Sequence, residues 1–127
     1  MANSLRLAIR KYRWKYAGML GFWIQRITGL ALLAYLFLHV KTIHQLNDPQ
    51  KFQAALDQFG QPLFKLGEIG LLAAVVAHSL NGIRITLVDA GYGVSKQRQM
   101  FWYLAIGVGA VIFIAGALPI LIYTVIK

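Results

Sequence analysis

One stretch of this chain concentrates the residues able to do chemistry: Ala77-His78-Ser79-Leu80-Asn81-Gly82-Ile83-Arg84-Ile85-Thr86-Leu87-Val88-Asp89. It sets a histidine inside a long apolar run, with an arginine and an aspartate one to three helical turns further on. Ionisable groups at membrane depth are costly and mark functional sites by default. Neutral imidazole is the commonest metal ligand and a regular axial ligand of haem iron. His78 therefore either ligates a metal centre or hydrogen-bonds a neighbouring helix, and its residue type alone leaves both open. Gly82 lies one turn away on the same face, where a missing side chain leaves room for a flat macrocycle.

His39 is the second histidine within an apolar run. Near a helix end it either meets interfacial water or serves as a ligand. Two trans axial ligands of one haem must lie at nearly the same depth. His39 follows Arg26 by thirteen residues, roughly 20 Å along a helix. His78 precedes Arg84 by six, roughly 9 Å. With the two arginines taken as level, His39 and His78 belong to different sites: an outer one at His39 and an inner one at His78, each completed by another subunit. His44 falls in or near a loop and reads as solvated.

Arg26 and Arg84 are placed to pair with a haem propionate or to donate to a quinone carbonyl. Gln25 and Thr28 add neutral donors beside Arg26. Asp89 is expected to pair with Arg84 or Lys96. Trp23 and Tyr92 suit a flat pocket, although aromatic residues also collect at membrane interfaces without binding anything. Paired carboxylates at glycosidase spacing, a nucleophile elbow and a phosphate-cradling glycine loop are all missing. The chain has no cysteine, which removes disulfides and thiolate metal sites. One histidine per span does not make a zinc site.

The elements that must position these groups are transmembrane helices. Of 127 residues, 58% are hydrophobic, and most charges cluster outside three long apolar runs. Each run can cross ~30 Å of hydrocarbon at ~1.5 Å per residue. The expected fold is an all-α membrane protein, a single membrane-anchor domain over residues 1–127 with spans at about 22–43, 66–88 and 100–126. The outer loop predicts a short helix: Asp48 as N-cap, Pro49 at the first helical position, Gly60 and Pro62 as its close. Phe52, Ala55, Leu56 and Phe59 share one face of it, fit to lie in the membrane interface. Pro119 is expected to bend the outer end of the third span. Gly67, Gly70, Gly107, Gly109 and Gly116 permit close helix approach.

The formal charge of +9 has a topological cause. Arg6, Arg10, Lys11, Arg13 and Lys15 precede the first span, and Lys96 and Arg98 separate the second from the third. The opposite loop carries Lys41, Lys51 and Lys65, partly balanced by Asp48, Asp57 and Glu68. The positive-inside rule then places the N-terminus in the cytoplasm, and nucleic acid is not an expected partner. Trp14, Tyr16, Phe22 and Trp23 suit the headgroup level. The start reads as a basic, aromatic lead-in without a cleavage site, so the first span is expected to stay in the product. Three glycine-rich helices carrying Arg84 and Asp89 point to an obligate membrane complex.

Two motifs resemble the cytochrome-b membrane-anchor subunit of succinate dehydrogenase, the respiratory complex II. Gln25-Arg26-Ile27-Thr28-Gly29 is similar to the family's His-Arg-(hydrophobic)-(Ser/Thr)-Gly at the start of the first span. His78 to Arg84, followed by Asp89, is similar to its His-x-x-x-Gly-(Ile)-Arg with a downstream Asp. Their order and spacing cover nearly the whole chain.

The resemblance implies an anchor in the bacterial inner membrane, bound to a flavoprotein subunit, an iron–sulfur subunit and a second membrane-anchor subunit. Electrons from succinate would pass through the clusters to a quinone near the inner interface. By the same resemblance His78 is an axial ligand of haem b, with the opposite ligand on the second anchor. Arg26 matches the arginine near the quinone and the haem propionates; Arg84 as a propionate partner and Trp23 as a quinone-pocket wall are candidates from their own chemistry. Leu38-His39-Val40 resembles members with a second histidine and two haems, which implies menaquinone. Gln25 stands where the family often has histidine, and Phe22 near where some ubiquinone-reducing members place a quinone-contacting serine. Two other readings are a haem-free structural anchor and an accessory transporter subunit using Arg84, Asp89 and Glu68. The transporter relay would have to bridge about 24 Å between Glu68 and Arg84.

Overall fold

In the computed structural model the backbone is described for residues 2–126 and the side chains for residues 18–126. The expectations for Arg6, Arg10, Lys11, Arg13, Trp14, Lys15 and Tyr16 lie outside the described side chains. Helix α1 runs over Ala2–His44, α2 over Pro49–Phe59 and α3 over Pro62–Asp89. The third long rod is composite: α4 at Gln97–Trp102, a π-helical stretch at Tyr103–Gly109, and α5 at Ala110–Ile126. The three segments long and apolar enough to cross a membrane are Gly18–Asn47, Pro62–Asp89 and Val94–Ile126. This is the all-α, three-span architecture expected of the sequence, with the helices of the second and third spans starting a few residues earlier than hydropathy suggests.

Local chemistry sets those boundaries. Asp48 caps α2, its Oδ1 accepting from the Gln50 and Lys51 backbone N–H groups at 3.2 and 3.3 Å. Lys51 also bridges to it at 3.0 Å and holds the Asp48 carboxyl below the usual carboxylate range. Gln61 is extended (φ −71, ψ 148), as a residue before proline must be, and Pro62 then opens α3 with its preset φ. That is why α3 begins four residues before the purely apolar run. After Asp89 the chain reverses through Gly91 (φ +89) and Gly93 (φ +71), a backbone region that side chains with a Cβ avoid. Helix α5 continues through Pro119 to Ile126, so the proline lies within a continuing helix.

Helix α3 is central, packing on α1 along one side and on the composite rod along the other. Gly116 lets α5 approach it: a Cβ there would lie 2.7 Å from Leu72 Cδ2. Gly109 does the same for the π stretch, facing Leu80 Cδ1 at 3.1 Å and the Leu104 carbonyl at 3.1 Å. Gly67, Gly70 and Gly107 meet nothing within 4 Å; of the five glycines expected to allow close approach, two do so within this chain. Gly116→Leu should destabilise the assembled protein by about 1–3 kcal/mol through overpacking against Leu72, read as a lower thermal midpoint. Gly107→Leu, on the open side, is the control.

Few described side chains are enclosed. Phe101 and Ala117 are the buried apolar ones, and Asn81 and Arg84 the buried polar ones. A bundle that encloses polar groups and turns its aliphatic residues outward suits a lipid surround, where apolar surface needs no protein cover.

Candidate functional site

The antiparallel pairing of α1 with α3 assembles a polar cluster from both sequence motifs. His78 meets α1 at Gln25, Thr28 and Gly29. Its Nδ1 is 3.1 Å from Thr28 Oγ1, and its Nε2 is 3.4 Å from Gln25 Nε2. The ring passes so close to α1 that a Cβ on Gly29 would lie 3.2 Å from His78 Cε1. The glycine of the first motif is thus the seat of the histidine of the second.

One turn toward the α3 C-terminus, Asn81 ties the two helices together. Its amide nitrogen donates to the Gly21 carbonyl at 2.8 Å and to Gln25 Oε1 at 3.0 Å. Its amide oxygen accepts from Arg84 Nε at 3.2 Å. Arg84 is only 8% exposed, with its guanidinium over the Phe101 ring at 5.2 Å. A Cβ on Gly21 would come within 2.7 Å of Arg84 Nη2, so Gly21 makes room for this buried cation. No buried side-chain nitrogen or oxygen among the described residues lacks a hydrogen-bond partner, as a low-dielectric site requires.

Other sequence-predicted residues sit elsewhere. Arg26 is exposed on the outer side of α1, its guanidinium 4.6 Å from the centroid of the Phe22 ring. Trp23 is 55% exposed and meets Phe22 edge-on. Their ring contacts are with Phe22, and neither takes part in the hydrogen bonds of the His78 cluster. Asp89 forms no ion pair with Arg84 or Lys96; the ion pairs among the described residues are Lys51–Asp48 and Lys65–Glu68. The second of these engages Glu68 at 3.0 Å and leaves no charged path from Glu68 to Arg84. The gap above Gly82 is taken by the Gln25 amide, 3.4 Å from where a Cβ would lie, so within this chain it accommodates a glutamine side chain.

The helix pairing also corrects the depth estimate. Arg84 is level with Gly21, not with Arg26, because α1 and α3 are offset by about a turn and a half. His78 is level with Thr28 and Gly29. His39, eleven residues past Thr28, then lies roughly 16 Å further along α1. There Tyr35 Oη is 3.2 Å from His39 Nδ1, with the two rings tilted at 5.4 Å. The pair lines a cavity of about 360 Å³ with Phe59, Phe64, Glu68 and Leu71. Phe59 and Phe64 meet edge-on at 5.6 Å, so the end of α2 joins the lining.

Two features were not foreseen. The motif gives Asn81 no role of its own, yet it joins α1 to Arg84. The other is the π stretch, a conformation frequent at functional sites. It borders an apolar cavity of about 260 Å³ between the spans, lined among others by Ile24, Val76, Leu80, Arg84, Phe101 and Leu104. No periodicity in the sequence signals it.

In chemical terms the His78 cluster offers one imidazole, two amides, a hydroxyl and a guanidinium, with no carboxylate among the hydrogen bonds. No set of three or more His, Cys, Asp or Glu side chains able to hold a metal ion forms among the described residues. A lone imidazole is compatible with a group that brings its own donors to a metal, and here both of its ring nitrogens also have partners within the chain.

Residues 1–123 match the family of succinate dehydrogenase/fumarate reductase transmembrane subunits. Among known proteins, the chain is 39% identical over 108 residues to the succinate dehydrogenase 2 membrane subunit SdhC of Mycobacterium tuberculosis, covering 81% of this chain and 79% of that one. It is 33% identical over 109 residues to the succinate dehydrogenase hydrophobic membrane anchor subunit of Halobacterium salinarum, covering 80% and 84%. It is also 32% identical over 79 residues to the corresponding subunit of Archaeoglobus fulgidus, covering 61% and 68%.

Proposed function

We propose that this chain, which belongs to the succinate dehydrogenase/fumarate reductase transmembrane subunit family, is the cytochrome b anchor of a succinate:quinone oxidoreductase. As a membrane subunit of that complex it partners the other subunits and the bilayer. In this reading those are a flavoprotein, an iron–sulfur protein and a second membrane anchor. The N-terminus faces the cytoplasm, across a bacterial inner membrane.

The observation that carries the reading is His78. It is half-buried in an apolar span and held by Thr28 and Gln25, and none of the ion pairs among the described residues involves it. His78 would be this chain's ligand to haem b, with the second anchor supplying the other ligand. Bound there, haem supplies a one-electron carrier between the iron–sulfur clusters and quinone. The chain's own contribution is orientation and charge. Thr28 and Gly29 set the plane of the imidazole, and Arg84 would supply a positive charge to pair with a propionate. On the outer side of α1, Arg26 would face a quinone carbonyl in a pocket walled by Trp23 and Phe22 and closed by the partner. A fixed guanidinium there stabilises the negative charge that develops on the quinone oxygens. A second haem at His39, with menaquinone as acceptor, rests on the likeness of Leu38-His39-Val40 to two-haem members; the cavity beside His39 is where it would be sought.

A haem-free scaffold is the rival reading, favoured by the fact that both His78 ring nitrogens already have partners within the chain. A dithionite-reduced minus air-oxidised spectrum of the detergent-purified complex decides between them. A b-type band is expected. A flat difference spectrum at full subunit stoichiometry would leave the chain as an anchor alone.

A further inference from the structure

The hydrogen bonds around His78 determine its tautomer when each partner is asked what it can donate. Arginine has donors only, so the Asn81 atom facing Arg84 Nε must be the amide oxygen. The other end of that amide, its NH2, faces the Gly21 carbonyl, which can only accept; both ends agree. The same NH2 meets Gln25 at 3.0 Å, so Gln25 presents its oxygen to Asn81 and its own NH2 to His78. His78 Nε2, 3.4 Å from that NH2, must then be the unprotonated nitrogen.

Thr28 reaches the same result from the other side. Its hydroxyl donates to the Ile24 carbonyl at 2.5 Å, the usual back-bond of a threonine within a helix. The one hydroxyl proton is engaged, so toward His78 Nδ1, at 3.1 Å, the oxygen accepts. Nδ1 must therefore carry the proton.

We infer that Thr28 at one ring nitrogen, and the chain Arg84–Asn81–Gln25 at the other, hold His78 as the Nδ1–H tautomer with the lone pair on Nε2. Thr28 and Asn81 are positioning residues: neither reaches a ligand, and both decide which ring nitrogen is offered to one. The use of this arrangement rests on the haem reading, because the tautomer leaves Nε2 ready to bond a metal while Nδ1–H is anchored by an acceptor, the usual outer-shell arrangement of a ligating histidine. The tautomer itself does not depend on haem. Gln25 covers Nε2 until a ligand displaces its amide, which gives a role to the glutamine standing where the family often has histidine.

The test has two arms. In the first, the full chain with ¹⁵N-labelled histidine is placed in lipid bilayers without haem, and the His78 nitrogens are observed by solid-state NMR; the spectrum holds three histidines. A protonated Nδ1 and bare Nε2 are expected. Asn81→Asp should reverse this, because a carboxylate still accepts from Arg84 but cannot donate to Gln25. The Gln25 amide then turns its oxygen toward His78 Nε2 and draws the proton there. Thr28→Val should give a mixture, and Thr28→Ser should restore the native tautomer. A wild-type proton on Nε2, or an unchanged tautomer in both Asn81→Asp and Thr28→Val, overturns the inference.

In the second arm the assembled complex is titrated with a haem-chelating competitor. Thr28→Val and Asn81→Asp should retain haem roughly 10–100-fold less tightly, the usual penalty for losing an outer-shell partner, while Thr28→Ser retains it. Equal retention in all of them overturns the positioning role. A complex that never contains haem refutes the proposed function and leaves the first arm to decide the tautomer.

Discussion

His78→Ala is expected to remove one b-type haem from the assembled complex, with the corresponding reduced-minus-oxidised band falling to about a tenth of the wild-type amplitude or less, beyond the outer-shell penalty. The expectation rests on His78 being the imidazole that the α1–α3 pairing builds around, seated on Gly29 and flanked by Thr28 and Gln25. The subunits should still assemble. Thr28 keeps its bond to the Ile24 carbonyl and Gln25 its bond from Asn81, so the substitution strands no charge and costs about 1–3 kcal/mol at most. His78→Tyr offers iron a phenolate oxygen in place of the imidazole nitrogen and should shift the band if it does not abolish it. His39→Ala separates the two sites. Lying roughly 16 Å further along the helix, it should leave the inner band intact and remove a second component where one exists. An unaltered difference spectrum in His78→Ala would remove this residue from the list of ligands.

Arg26→Leu should lower succinate:quinone turnover by about 10²–10³-fold, the usual consequence of removing a preorganised charge or donor from a developing oxyanion. Oxidation of succinate by an artificial acceptor that draws on the iron–sulfur subunit should stay near wild type. Arg26 is exposed on α1 and rests on Phe22, facing away from the polar cluster. Its removal therefore breaks no hydrogen bond among the described residues and should leave the haem spectrum in place. Arg26→Lys keeps the charge but loses the planar fork and the stacking on Phe22, and should recover only part of the activity. Unchanged quinone turnover in Arg26→Leu would assign Arg26 to headgroup contacts.

The contrast between Arg26 and Arg84 shows where reading the chain alone reaches its limit. Both look like intramembrane arginines near the inner face. Only the helix pairing shows that Arg84 is enclosed, capped by Phe101 and bonded to Asn81, whereas Arg26 looks outward. The partition follows from the angle each residue takes about its helix and from the register of the pair, neither of which a single motif contains. Asn81 was overlooked for the same reason: a neutral amide carries no charge signal, and its importance comes from what lies across the interface. The helix α2 is the opposite case, because Asp48, Pro49 and the Gly60–Pro62 close are local chemistry and act through bonds within a few residues of themselves.

The amino-acid order alone determined three spans, the loop helix, and which histidines and arginines fall within the spans, because hydropathy and capping act over one element at a time. It also carried the two motifs that identify the family. Tertiary structure decided which of those residues meet. The offset of α1 against α3 makes Gly21 level with Arg84 and Gly29 level with His78, because only glycine leaves the space that a buried guanidinium or an imidazole ring requires. That register, set by close packing between two helices far apart in the chain, places Thr28 and Gln25 on the two nitrogens of His78.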